Sequence, residues 1–178
     1  MRLATGLSMA LVLGFGSCAL TQESFPVFYR GQVVDVDTGR PLPGVLVVFL
    51  WERDVYSPAT SKVTREFHAA TEVLTDKNGR FQISAAPEAS VGPFLVEIRT
   101  TDPIFFAPGY FLPYKAKSEG EPFRDRTVVY MQRAENPREA LEPLPLSSSF
   151  PFSHTPLLLK ALNQERARLG LPPIQPGK

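Results

Sequence analysis

Two histidines and a few acidic residues are the side chains of this sequence that could hold a metal ion. His68 and His154 are the only histidines among the 178 residues. An iron or zinc site with two histidines and one carboxylate would need both. They are far apart in the sequence and lack the close spacing of metal-ligand motifs, so we predict no metal site and no cofactor. His68 falls on a predicted strand, where a surface or cross-strand role is commoner.

Four residues in predicted turns carry oxygen atoms that could bind calcium, namely Asp35, Asp37, Asp76 and Asn78. The EF-hand pattern is absent. Asp and Asn in tight turns normally accept hydrogen bonds from their own backbone, and we predict that role. The serines at 147–149 lack the strand–turn–helix context of a nucleophile. We therefore expect neither hydrolase nor oxygenase activity, and we predict no catalytic residue.

A group of aromatic residues could instead bind a ligand without catalysing a reaction. Trp51, Tyr110 and Tyr114, with Phe111, would form a platform for a sugar or a peptide if their rings were exposed and coplanar. Aromatic residues of a small β protein more often fill its core. Both roles are open for these residues on the sequence alone.

The N-terminal residues are typical of an export signal. Arg2 precedes residues 3–15, a run without charge. The run is shorter than the about 20 residues that span a bilayer, and it fits the apolar part of a signal peptide. The following Ser17 and Cys18 resemble the lipobox of bacterial lipoproteins, which implies lipid attachment at Cys18. Cleavage after Ala19 is the alternative, and it would give a soluble periplasmic or secreted protein.

The charge balance excludes some partners. The chain has 19 basic and 18 acidic residues, and loss of residues 1–17 would remove Arg2 and leave 18 of each. This balance offers no basic excess for nucleic acid. It would not hold the protein on an anionic membrane, so a membrane partner implies the N-terminal lipid. Because Ala19 rather than Asp follows the cysteine, the lipoprotein resemblance implies an outer-membrane anchor facing the periplasm.

The middle of the chain is typical of an all-β fold. β-Branched and aromatic runs between turn-forming residues predict strands, and the Asn78-Gly79 pair predicts a hairpin. The run at 44–52 is apolar at nearly every position, which indicates a strand buried on both faces. Residues 53–64 are polar without apolar periodicity, so we predict a loop there. Seven strands are predicted, at residues 27–36, 44–52, 66–75, 80–85, 94–100, 105–110 and 126–133.

Seven short strands without βαβ alternation predict an antiparallel β-sandwich. The connections between these strands contain the motifs Gly31-Gln32-Val33-Val34-Asp35, Thr38-Gly39, Pro41-Leu42-Pro43-Gly44-Val45, Thr75-Asp76-Lys77-Asn78-Gly79-Arg80-Phe81 and Ala107-Pro108-Gly109-Tyr110. These motifs resemble the carboxypeptidase regulatory-like domain, and this resemblance implies a transthyretin-like sandwich. The family's name comes from an accessory domain that follows a peptidase, so no peptidase activity is implied.

The C-terminal part predicts an extended segment and then one helix. Thr155 and Pro156 suit a helix start, and Gly170 suits its end. Leu158 and Leu162 share a face at helical spacing, which we expect to pack on the chain's own sheets rather than on a partner. The predicted segments are a signal peptide (1–17), a tether (18–26), the sandwich (27–133), a Pro- and Ser-rich linker (134–154), a helix (155–170) and a tail (171–178).

These patterns favour a non-catalytic cell-envelope lipoprotein that serves as a binding or structural module, with an envelope protein or a glycan as partner. One alternative is a carbohydrate-binding module, which requires exposed coplanar rings around Trp51 or Tyr110. The other is a small metal-dependent enzyme, which requires His68 in an open cleft beside carboxylates.

Overall fold

The computed structural model describes residues 28–84, 95–112, 127–142, 144 and 150–176. Within these residues the fold is mostly β, with one α-helix and two 3-10 helices. The 3-10 helices are Glu139–Leu141 and Phe152–His154. The other elements are β1 (Phe28–Asp35), β2 (Leu46–Ser57), β3 (Lys62–Leu74), β4 (Arg80–Ser84), β5 (Leu95–Thr100), β6 (Ile104–Phe106), β7 (Tyr110–Phe111), β8 (Thr127–Arg133) and α1 (Pro156–Arg168).

The strands form two four-stranded sheets. Sheet I has the order β4-β1-β8-β7, and sheet II has the order β3-β2-β5 with β6 also paired to β2. Alternate residues of both sheets point into one shared core, where Phe49 of sheet II lies 6.5 Å from Phe81 of sheet I between ring centroids. This two-sheet, all-β arrangement agrees with the predicted fold class.

Strand β2 is buried on both faces, as its continuous apolar run predicts. Val47, Phe49 and Trp51 face the core shared with sheet I. Leu46 and Val48 face the opposite way, into a second apolar cluster built with the C-terminal segment. Sheet II is therefore the middle layer of three, which is why its central strand has no polar face.

The predicted loop at residues 53–64 is wrong. Strand β2 continues to Ser57 and β3 begins at Lys62, so these residues form an antiparallel arm. Arg53 lies opposite Glu66 and Asp54 opposite Arg65, and both pairs are joined by salt bridges, at 3.0 and 3.3 Å. Polar residues replace the apolar alternation here because the cross-strand charges pair with each other.

The turn at residues 76–79 is confirmed, but the hairpin is wrong. Gly79 has a φ of +68° and its N–H donates to the Asp76 carbonyl, at 2.9 Å. A Cβ at Gly79 would lie 2.5 Å from the Val33 carbonyl oxygen, so glycine is required there. The strands on either side nevertheless separate: β3 pairs with β2 in sheet II, and β4 pairs with β1 in sheet I.

The sheets are not wholly antiparallel. Strand β1 pairs with β8 in parallel, with Val33 opposite Val129. The other strand pairs are antiparallel. The described residues contain eight strands rather than the seven predicted, the addition being the two-residue β7. Turn motifs do not specify which distant strands become neighbours, so neither feature follows from them.

The C-terminal segment covers the outer face of sheet II. Helix α1 begins at Pro156 and ends at Arg168, and Gly170 has a φ of +69°, which agrees with the predicted start and stop. Leu158 and Leu162 are fully buried in the second cluster, so the helix packs on its own chain as predicted. Burial of two such side chains contributes about 1.5–3 kcal/mol each.

Part of the segment predicted as a linker also packs here. Leu141 and Phe152, which lie in the two 3-10 helices, are buried in the same cluster as α1. The structure thus differs from the extended linker that the Pro and Ser content predicts, because apolar residues between the prolines reach sheet II. Residues 145–149, with the three serines, lie outside the described residues, as do residues 1–27 with the predicted signal peptide, tether and Cys18.

Strand β3 also fixes the start of the helix. The Glu72 carboxylate accepts hydrogen bonds from the backbone N–H groups of Leu157 and Leu158, at 2.9 and 2.7 Å. Thr155 occupies the predicted N-cap position, but its hydroxyl donates to the Pro151 carbonyl instead, at 3.3 Å. A carboxylate from a distant strand therefore satisfies the free amides of the first turn and complements the helix dipole.

Candidate functional site

Of the residues that could form an aromatic platform, Trp51 does not lie at the surface. Trp51 is only 1% exposed and packs in the shared core, with its ring centroid 6.1 Å from that of Phe49. Tyr110 packs against the same core from β7. Tyr114 lies outside the described residues. Because Trp51 is covered by both sheets, it cannot present its ring to a ligand, and the core role is the correct one for this residue.

The carboxylates of Asp35 and Asp76 accept hydrogen bonds from the backbone of their own turns, as predicted for Asp in turns. One Asp35 oxygen accepts hydrogen bonds from the backbone N–H groups of Asp37 and Thr38, at 3.0 and 2.8 Å, and from the Thr38 hydroxyl. One Asp76 oxygen accepts two backbone N–H groups in the same way. These carboxylates therefore stabilise turns rather than gather around an ion.

Asp35 also joins the turn to strand β7. The Tyr110 hydroxyl donates to the second oxygen of Asp35, at 3.1 Å. The backbone N–H and then the hydroxyl of Thr38 hold the pKa of the Asp35 carboxyl below its ordinary value. Burial first, and then the bond to Asp35, raises the pKa of the Tyr110 hydroxyl. Both shifts favour the observed pair, a charged carboxylate that accepts from a neutral phenol.

The two histidines do not meet in a ligand cluster. The ring of His154 lies 4.7 Å from that of Phe67, and His68 follows on the same strand. Within the described residues, no group of three or more His, Cys, Asp or Glu side chains is arranged to hold a metal ion.

The outer face of sheet I carries a different set of side chains. On β4 and β8 the buried positions alternate with exposed or half-buried ones, so one face enters the core and the other meets solvent. On β1, Tyr29 to Gln32 are exposed or half-buried, whereas Val33, Val34 and Asp35 are all buried. Across the β1–β4 pair, Arg30 lies opposite Gln82 and Gln32 opposite Arg80. Arginine and glutamine thus alternate along and across two neighbouring strands.

These four side chains line an open groove of about 610 Å³. Gly31, Asp76, Phe81 and Val128 also line it. Gln32 donates to the Asn78 carbonyl at 2.9 Å, which ties the groove to the turn before β4. The guanidinium groups offer fixed pairs of donors, and the amides offer both donors and acceptors. The groove therefore presents hydrogen-bond donors and acceptors at the surface.

A strip of exposed apolar side chains borders the groove. Val36, Val128 and Tyr130 are 44%, 41% and 50% exposed. In the parallel register Val128 lies opposite Gln32, so the apolar strip and the polar groove are continuous on one face. Tyr130 supplies a half-exposed ring on this face, and the sequence analysis did not name it as a candidate.

The sequence analysis missed this face, although its signal is present in three separate segments. Polar residues alternate with apolar ones at Arg30 and Gln32, again at Arg80 and Gln82, and again around Tyr130. Each segment alone indicates only a strand with one solvated face. The three segments come together on one face because β1 lies between β4 and β8, and no local pattern specifies that strand order.

A second groove, of about 460 Å³, runs between α1 and the end of sheet II. Its most buried polar side chain, Glu165, is paired with Arg168, whose nitrogens donate to it at 2.8 and 2.6 Å. That pairing raises the pKa of Arg168. Two of the charges of this groove, on Glu165 and Arg168, are thus paired within one helix, and Lys160 also lines it. In the sheet I groove, Arg80 and Gln82 are exposed.

Comparison of the chain with protein-family models, curated proteins and solved structures gives no match. In the described part of the chain, the helices are too short or too polar to cross a membrane. The candidate site therefore rests on its own geometry, which is a polar groove and an apolar strip on the open face of sheet I.

Proposed function

We propose that this protein is an exported, non-catalytic binding module of the bacterial cell envelope and that its ligand binds the outer face of sheet I. The observation that carries the proposal is the groove formed by Arg30, Gln32, Arg80 and Gln82 on the outer face of sheet I. The motif resemblance supports a transthyretin-like sandwich of the carboxypeptidase regulatory-like type as the scaffold.

The groove suits binding rather than catalysis. The titratable side chains among its lining residues are Arg30, Arg80 and Asp76. An arginine stays protonated at physiological pH and so cannot act as a general base. One Asp76 oxygen already accepts two backbone N–H groups. The described lining residues thus supply hydrogen bonds and charge, and include no nucleophile paired with a base.

The test of binding is a pull-down of the tagged full-length protein from cell-envelope extract, with analysis for both protein and glycan. Arg80→Ala/Gln82→Ala should lose whatever the wild type retains. Lys62→Ala/Thr64→Ala is the matched control, because it removes a cation and a polar residue two positions apart on an exposed strand. Equal recovery of the same material by all three proteins would contradict the proposed site.

We further propose that Cys18 anchors the module to the outer membrane, facing the periplasm. Two acyl chains hold a protein stably at about 0.8 kcal/mol per buried methylene, whereas one binds reversibly. Wild type should take up a fatty-acid analogue and enter the detergent phase, and Cys18→Ala should do neither. Wild type that takes no label and leaves membranes in salt would contradict the anchor and favour cleavage after Ala19, with a soluble periplasmic or secreted product.

A further inference from the structure

The arrangement of side chains in the groove of sheet I suits a ligand rich in carboxylates and hydroxyls. Arg80 lies opposite Gln32, and Arg30 lies opposite Gln82. A guanidinium recognises a carboxylate through two parallel hydrogen bonds. A glutamine amide both donates and accepts, as a sugar hydroxyl does. The alternation brings both kinds of recognition together on two adjacent strands.

The apolar strip adds a surface for the flat face of a sugar ring. The Tyr130 side chain is half exposed on β8, and Val128 lies between it and the polar groove. A tyrosine at a binding surface offers an apolar ring together with a polar hydroxyl. A ligand that crosses from the arginines to Tyr130 therefore needs charged, hydroxylated and apolar parts within a short distance.

The same face is poorly suited to a peptide strand. Peptides recognised by a sheet usually add to an exposed edge, where backbone groups are available. Strand β1 carries the centre of the groove and is hydrogen-bonded to β4 on one side and to β8 on the other. Strand β4, which carries Arg80 and Gln82, is the end strand of sheet I. The ligand proposed here lies on the face of the sheet rather than along that edge, so side chains recognise it. Nucleic acid is also disfavoured, because basic and acidic residues nearly balance in the chain.

We infer that the groove binds an anionic polysaccharide, with a uronate carboxylate at Arg80 and a sugar ring against Tyr130. The inference rests on the proposed function and specifies its ligand class. Salt should weaken the complex, because part of the attraction is between exposed charges.

The experiment is affinity electrophoresis of the full chain in nonionic detergent, through gels containing polygalacturonate, alginate or hyaluronate. Methyl-esterified polygalacturonate is the matched neutral polymer, and duplex DNA is the matched non-sugar polyanion. We expect retardation by at least one uronate polymer, with an affinity about tenfold or more above that for the ester or DNA. Arg80→Ala and Tyr130→Ala should each weaken it, and Lys62→Ala should not.

The outcomes separate this inference from the proposed function. Equal affinity for polygalacturonate and its ester, or for DNA, would overturn the anionic-polysaccharide assignment. Retardation that is the same in Arg80→Ala and wild type would overturn the assignment to this groove. Absence of retardation by all three uronate polymers would also overturn the inference. In that last case the proposed function still stands if the pull-down recovers a partner that Arg80→Ala/Gln82→Ala loses.

Discussion

The outer faces of the two sheets differ although their inner faces share one core. On sheet II, Leu46 and Val48 are covered by α1, whose Leu158 and Leu162 are fully buried. On sheet I, long polar side chains and the half-exposed Tyr130 meet solvent. Among the residues that the structure describes, the C-terminal segment covers the outer face of sheet II, and no helix packs on the outer face of sheet I. The covered face stabilises the fold, and the open face is available to a ligand.

The largest expected effect is at the covered face. Leu162→Ala removes a fully buried side chain from the cluster between α1 and sheet II. We expect it to lower the free energy of unfolding by about 2–5 kcal/mol, because a cavity adds to the lost burial. Val128→Ala on the open face should change it by less than about 0.5 kcal/mol. Urea denaturation of both variants measures the contrast, and similar losses at both positions would contradict it.

The hydrogen bonds that the Asp35 carboxylate accepts, from the turn after β1 and from Tyr110 of β7, should make the stability of the fold depend on pH. Because the pKa of Asp35 is lowered in the folded protein, its stabilising contribution is fully present above the ordinary value of 3.8 and is lost as the pH falls through the folded pKa. Asp35→Asn should therefore be less stable than wild type at neutral pH, and this difference should narrow in acid.

Circular dichroism during urea unfolding at a series of pH values measures that difference. Asp37→Asn is the control, since Asp37 is an exposed residue of the same turn. It should track wild type throughout. A difference between Asp35→Asn and wild type that stays constant from neutral pH to below pH 3 would contradict the assigned role of the carboxylate.

A smaller effect is expected where β3 meets the start of α1. Glu72→Ala leaves the amides of Leu157 and Leu158 without the carboxylate, which should cost about 0.5–2 kcal/mol, as the loss of a helix cap does. The control is Glu66→Ala, which removes an exposed carboxylate from β3, the strand that also carries Glu72. Glu66 pairs with Arg53 of β2, and its loss should lower the free energy of unfolding by about 0–1 kcal/mol. Faster hydrogen exchange confined to α1 in Glu72→Ala identifies the cap, whereas uniform acceleration over both sheets would contradict it.

The smallest effect on stability is expected at the proposed binding groove. Arg80 and Gln82 are exposed on β4, so Arg80→Ala/Gln82→Ala should change the free energy of unfolding by about 0.5 kcal/mol or less. Thermal unfolding of the double variant beside wild type checks this. A large loss of stability would mean that these side chains support the fold, and the distinction between the two outer faces would fail.

The elements with strong local signals were predictable. The start of α1 follows from Pro156 and its end from Gly170, because both residues restrict or permit specific backbone angles. The double burial of β2 follows from its unbroken apolar run. The arm after Trp51 was not predictable in this way, since its strands depend on charge pairs between residues more than ten positions apart.

The candidate site was predictable only in pieces. Alternation identifies Arg30, Gln32, Arg80 and Gln82 as solvent-facing positions of separate strands. It does not show that β4 pairs with β1, and the Asn78-Gly79 turn pointed instead to a β3–β4 hairpin. Trp51 was a candidate because it is aromatic, but its side chain is buried in the structure. Tyr130 is half exposed instead. Long-range strand order decided both outcomes.

The most direct test of the contrast between the outer faces is photo-crosslinking in intact cells. Benzoylphenylalanine in place of Gln82 would probe the groove of sheet I, and in place of Ala167 it would probe the exposed side of α1. If the outer face of sheet I is the binding surface, position 82 should yield an adduct that is lost with Arg80→Ala, and position 167 should yield none. An adduct from position 167 with none from position 82 would contradict the account.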